Sequence, residues 1–154
     1  MFGVFRGVQY INMDAKGRMA MPARHRDALI SDHSAQLVAT IDTQSRCLLI
    51  YPLCTWEKFE QKLQLVSVNK AARRITRLIL GHASELDLDA NGRVRLPAIL
   101  QEYAGLEKKL VLVGQGEKFE LWSESAWQQE CEEAIADANS GEQELPEDFA
   151  NLVL

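Results

Sequence analysis

The chain has 154 residues, 47% hydrophobic and 25% charged, with a formal net charge of −5, the composition of a globular protein made as one ordinary domain or two very small ones. No apolar run nears the roughly 20 residues that cross a bilayer, and the opening MFGVFRGVQ has no apolar signal region with a small-residue cleavage site, so a cytoplasmic protein is expected. As a total, the negative charge argues against a polyanionic partner. Its distribution reverses that inference, because residues 117–154 hold eleven acidic side chains and one lysine while residues 1–116 hold sixteen basic and eleven acidic ones. Charges are screened beyond about 10 Å in ordinary salt, so a basic face can work despite an acidic end.

In chain order, Phe5-Arg6-Gly7 leads into INMDAKGRMAMPARHRDAL at 11–29, which returns as LDLDANGRVRLPAILQEYA at 86–104. Asp, Gly, Arg and Pro keep the same spacing in both. Each copy reads as a strand, a tight turn, a second strand and a short helix, with Pro22 and Pro97 at the first helical position and Gly105 as a stop. Two apolar runs follow each helix: QLVATI (36–41) and CLLIYP (47–52) in the first half, LVLVG (110–114) and KFELW (118–122) in the second. An amphipathic helix then closes each unit. Trp56, Phe59, Leu63 and Val66 mark one face of the first; Trp127, Cys131, Ile135 and Ala138 mark the second, with Ser123 as its N-cap. Between the copies, NKAARRITRLILG (69–81) forms a helix stopped by Gly81, with Ala72, Ile75 and Ile79 on one side and Lys70, Arg73, Arg74 and Arg77 largely on the other. The end, NSGEQELPEDFANLVL, reads as loosely ordered.

A four-strand half this small would leave its sheet edges open. Two copies that interleave their hairpins cover one another, which predicts an α+β fold in which both halves build a pseudo-twofold β-barrel with helices outside. The boundaries that follow are a first module at 1–68, a basic linker helix at 69–83, a second module at 84–138 and an acidic tail at 139–154. Complementary repeats also favour a closed homo-oligomer.

Within the repeated turn, Gly17 and Gly92 supply positive φ, and Asp14 and Asp89 accept hydrogen bonds from turn N–H groups. These four residues build the loops. Arg18 follows at once, so its guanidinium either folds back onto Asp14 or stands at a rigid tip with five donors. Arg6, Lys16, Arg18, Arg24 and Arg26 fall within twenty-one residues with Asp14 as the opposing charge. Arginine grips phosphate or the O6/N7 edge of guanine in bidentate fashion, and lysine acts as a point charge on the backbone. The second half has Asn91, Ile99 and Gln101 where the first has Lys16, Arg24 and Arg26, so the first turn is the stronger candidate and Arg93 a weaker phosphate contact.

FRG (5–7), DAKGRMAMPARHRD (14–27), RCLLIYPLCTWEKFEQKL (46–63), AARRITRLILGHA (71–83), LDANGRVRLPAILQEYAGL (88–106) and VLVGQGEKFELW (111–122) together resemble the MraZ family. The resemblance implies two AbrB-like swapped-hairpin modules per chain, assembly into closed rings, and nucleoid-associated double-stranded DNA binding by a bacterial transcriptional regulator. The genes it implies are the division and cell-wall cluster, including the regulator's own gene. It also places the DNA-contacting loop on Asp14, Lys16, Gly17 and Arg18, with Arg93 equivalent in the second half. The family typically begins Met-Phe-Arg-Gly, and MFGVFRG carries three further residues.

Other features read as structural. The cations of the linker helix form a solvated face, touch DNA, or bind the acidic tail of an adjacent subunit. His25, His33 and His82 are scattered without metal-ligand spacing, and Cys47, Cys54 and Cys131 form an odd set without a Cys-x-x-Cys pair, so neither a metal site nor a disulfide framework is expected. Trp56, Trp122 and Trp127 read as core anchors. GQGE at 114–117 lacks the residues of a phosphate-binding loop and reads as a hairpin turn. No nucleophile stands at useful spacing from a base, so no enzyme, cofactor or small-molecule substrate is expected. An interaction scaffold that grips acidic partners is the alternative reading of the same loops.

Overall fold

A computed structural model describes residues 4–65 and 69–152, in two units, Met1–Glu124 and Ser125–Leu154. Val66 and the extension Met1–Gly3 lie outside the described residues. The first unit runs β1 (Val8–Asn12), β2 (Arg18–Ala20), α1 (Ala23–His33), β3 (Gln36–Ile41), β4 (Leu48–Pro52), α2 (Leu53–Leu65), α3 (Lys70–Gly81), β5 (Ser84–Asp87), β6 (Arg93–Arg95), α4 (Ala98–Tyr103), β7 (Lys109–Gly114) and β8 (Phe119–Ser123). Nearly all of α5 (Glu124–Ser140), and the short α6 (Glu147–Ala150), form the second unit.

Six strands form one antiparallel sheet in the order β1-β7-β8-β4-β3-β5, and β2 pairs with β6 in a separate two-stranded ribbon. Exchanging the equivalent strands of the two copies leaves that order unchanged. The first strand of each copy pairs with the third strand of the other, Ile11 opposite Leu110 and Leu86 opposite Leu37. The copies meet at Leu49 opposite Glu120 in β4–β8 and at Met19 opposite Val94 in the ribbon, and the pseudo-twofold relation runs through these two pairs.

The sheet is not the closed barrel that the repeat predicts. β1 and β5 remain as edges, for a local reason: each runs into a turn and then a three-residue strand, and those two short strands use their ladder on one another. A single bridge, Met13 to Met19, ties β1 to the ribbon among the described residues.

Alternation decides what is buried. Leu37, Ala39, Ile41, Leu48, Ile50, Leu110, Leu112, Phe119 and Leu121 point to one face, where Met19, Met21, Leu29, Val94, Leu96 and Leu100 close the main core. The other face of β3 and β4 carries a second cluster, Val38 and Tyr51 against Trp56 and Ile79, with Phe59 and Leu63 beside them. Strands covered on both faces read as continuous apolar runs, as QLVATI does. Tyr51 stacks on Phe59 at 5.4 Å and meets Trp56 edge-on at 5.4 Å, while the Thr40 hydroxyl donates to the Ile79 carbonyl at 2.6 Å and fastens α3 to β3. Burial pushes the Tyr51 phenol up to about 12, with Asp42 and Glu117 adding to the rise.

Three helix ends differ from the sequence expectation. Pro22 and Pro97 are the N-caps of α1 and α4, one position before the expected place; each carbonyl accepts the first helical bonds, and a proline's fixed φ suits either position. Gly81 is the last residue of α3, and His82 is its C-cap in right-handed conformation. Gly105, at φ +60, follows the cap of α4 as a stop should.

Candidate nucleic-acid interface

Both Asp-x-x-Gly-Arg turns are built by the same bonds. In the first, Asp14 Oδ1 accepts from the N–H groups of Lys16 and Arg18, each at 2.9 Å, the Gly17 N–H donates to the Asp14 carbonyl at 3.0 Å, and Gly17 sits at φ +79. In the second, Asp89 Oδ1 accepts from Asn91 at 2.8 Å and Arg93 at 2.9 Å, and Gly92 sits at φ +73. The N–H groups of Arg18 and Arg93 are the largest cause holding the Asp14 and Asp89 carboxyls below the usual carboxylate range. A carboxylate that accepts two backbone donors fixes the turn, so the residue after the glycine leaves it in one direction.

The ribbon sets the turns side by side. Arg18 lies opposite Arg95 and Arg93 opposite Ala20, while the Met21 N–H donates to the Gly92 carbonyl at 2.9 Å and the Leu96 N–H to the Gly17 carbonyl at 2.8 Å. Each turn is thereby hydrogen-bonded to the other copy. Of the two alternatives for Arg18, the structure takes the folded-back one: its Nε donates to Asp14 Oδ2 at 2.9 Å. The side chain remains 32% exposed, and no further hydrogen bond of its guanidinium occurs among the described residues. Arg93 reaches across, with Nη1 3.8 Å from Asp14 Oδ2 and Nε 3.8 Å from Asp89 Oδ2.

The other predicted cations divide. Lys16, Arg6 and Arg24 are exposed and make no ion pair among the described residues, and the Arg24 guanidinium lies over Gly7, at φ +98, which places α1 beside the Arg6 segment. Arg26 turns inward: half-buried, it donates from Nη2 to the Met21 carbonyl at 2.9 Å, and a Cβ on Gly92 would collide with its guanidinium. Gln101, its equivalent in the second copy, donates to the Leu96 carbonyl at 2.7 Å and sits against Gly17 in the same way. Arg95 and Gln101 were not singled out as site residues from sequence; the signal available was their place two residues past Arg93 on a strand and at the position matching Arg26.

Elsewhere, Cys47 is buried and its Sγ lies 3.6 Å from Asp42 Oδ2, with a Glu120 carboxylate oxygen within 4.8 Å of both. His25 is packed edge-on to Phe5 and Phe119. Trp56 and Trp122 are buried core residues as expected, and Trp127 is half-buried. Among the described residues no helix is long and apolar enough to cross a membrane.

A family model described as "MraZ protein, putative antitoxin-like" matches the chain twice, over residues 4–78 and 79–146, so the family repeats where the strands do. A relative from Halorhodospira halophila is 51% identical over 152 residues, covering 98% of this chain and all of its own length. Relatives from Coxiella burnetii and Legionella pneumophila are 49% and 47% identical with the same coverage. All three bear the name "Transcriptional regulator MraZ". Matched across both halves by one family model and along nearly its whole length by these relatives, the chain belongs to the MraZ family, a family of transcriptional regulators and not of enzymes.

Proposed function

We propose that this chain is a sequence-specific double-stranded DNA-binding repressor of the division and cell-wall gene cluster, its own gene included. It works in the cytoplasm at the nucleoid, as a closed ring of identical subunits on tandem DNA repeats. The exchanged first strands are read as the AbrB-like swapped-hairpin arrangement, which presents the turns as a rigid pair. The observation that carries the reading is the ribbon with its turns, which gathers Lys16, Arg18, Arg93 and Arg95, with Asp14 and Asp89 as the carboxylates that build the turns. The Arg18–Asp14 pair is partly exposed, and exposed ion pairs contribute only about 0–1 kcal/mol, so DNA can compete for the guanidinium. Nε holds the side chain to the turn while the Nη groups can grip guanine or phosphate. Lys16, Arg6 and Arg24 fix the register on phosphates, Arg93 contributes a weaker contact, and Arg26 contributes from behind by holding the second turn.

One subunit has few cations for tight binding at cellular salt, and a ring multiplies identical loops through effective concentration. Footprinting on the DNA upstream of its own gene should show protection at direct repeats. Arg18→Ala should abolish that protection with the oligomer unchanged on a sizing column, and Arg93→Ala should weaken it less. An Arg18→Ala protein that protects the same bases at the same concentration excludes the contact. A scaffold for acidic partners would instead bind random polyanions as well as the operator.

A further inference from the structure

We infer that the DNA site at the first turn is completed by the second copy, with Arg95 as a phosphodiester contact and Gln101 as the residue that positions the turn. The inference rests on the DNA-binding reading above and adds two residues to it. A cleft of about 520 Å³ opens beside the first turn, lined by Lys16 and Gly17 from the first copy and by Arg95, Leu96 and Gln101 from the second. Lys16 and Arg95 are both exposed and neither makes an ion pair among the described residues. Arg95 faces Arg18 directly across the ribbon, so the three cations of this cleft and turn come from both copies. One carboxylate, Glu85, also borders the cleft and opposes an anion there.

Gln101 acts through the backbone. Its amide is fastened to the Leu96 carbonyl at 2.7 Å, Leu96 is itself bonded to Gly17 at 2.8 Å, and the amide fills the space where a Gly17 side chain would stand. The first turn therefore rests on a neutral donor, whereas the second rests on Arg26. The two halves are unequal here: the positions matching Lys16 and Arg95 are Asn91 and Ala20, so this pair of cleft-lining cations belongs to the first turn. A phosphodiester suits this cleft, because the two cations that line it match its anionic oxygens, and a neutral base would leave both cations unpaired.

The test uses the full chain and an operator duplex, with anisotropy titrations over a salt series. Arg95→Ala should weaken binding to operator and scrambled duplex alike and lower the salt slope by about 1, the mark of one lost phosphate contact. Glu85→Gln should tighten binding several-fold. Gln101→Ala should reduce the preference for operator while leaving the salt slope unchanged, and Gln101→Met, which is neutral, of similar length and cannot donate to Leu96, should do the same; circular dichroism and sizing confirm that each variant folds. If Arg95→Ala keeps the wild-type slope and affinity while Arg18→Ala loses the preference for operator, Arg95 is not a contact and the DNA reading stands. If Gln101→Ala keeps the wild-type preference, the positioning role is wrong. If the wild type binds neither duplex, the DNA reading itself is overturned, and this inference with it.

Discussion

Gly17 shows how one residue carries both the turn and its neighbour. Its φ of +79 belongs to the left-handed region, and a Cβ there would also meet the Gln101 amide. Gly17→Ala should lose about 1–2 kcal/mol from the backbone conformation alone, read as a lower urea midpoint. His25 makes a pH-dependent prediction. The ring is buried against Phe5 and Phe119, and burial, helped by the nearby Arg24 charge, holds its pKa below the ordinary 6.5. The unfolded chain therefore binds the proton more readily, so stability is complete above the unfolded value and falls as pH drops through it. Urea midpoints measured between about pH 7 and pH 5 should decline, and His25→Leu should flatten that decline. Asp14 and Asp89 act at lower pH with the same sign: their lowered carboxyls favour the fold above the ordinary 3.8, and the benefit disappears as they protonate.

Among elements, the repeated strand, turn, strand and helix were legible because each rests on local chemistry: glycine where φ must be positive, proline at a helix entry, alternation along a strand. Partner choice was less legible. Alternation at Ile11 and Leu86 says that one face is buried, and it does not say that each strand pairs with the other copy's third strand rather than within its own hairpin. The expected barrel closure failed for a related reason, since a strand of three residues such as β2 pairs with β6 along its length and carries one bridge, Met19 to Met13, on its other edge among the described residues. In the site, the sequence left Arg18 two conformations, and the distance to Asp14 selects one; Arg95 and Gln101 acquire roles only through the cross-ribbon register. The α2 helix offers a direct check on packing. Trp56 is 4% exposed and touches Tyr51 and Phe59, so Trp56→Ala should cost about 3–5 kcal/mol. Calorimetry should show that loss as a lower unfolding temperature, and an unchanged temperature would contradict the second cluster as a stabilising unit.

For the whole molecule, charge segregation and duplication work together. The net charge of −5 conceals a balance of +5 in residues 1–116, and the ribbon concentrates part of that excess at paired turns. Binding by such a surface weakens steeply with salt whatever the base sequence, so affinity at one salt concentration says little about recognition. On the proposed function, specificity rests on the guanidinium that follows the turn glycine. The most direct measurement is the ratio of affinities for operator and scrambled duplex, for wild type and Arg18→Ala, between about 50 mM and 200 mM salt. The account predicts that the wild-type ratio persists as both affinities fall, and that Arg18→Ala brings the ratio close to one while retaining some general attraction. A wild-type ratio near one, or a ratio unchanged by the substitution, would contradict it.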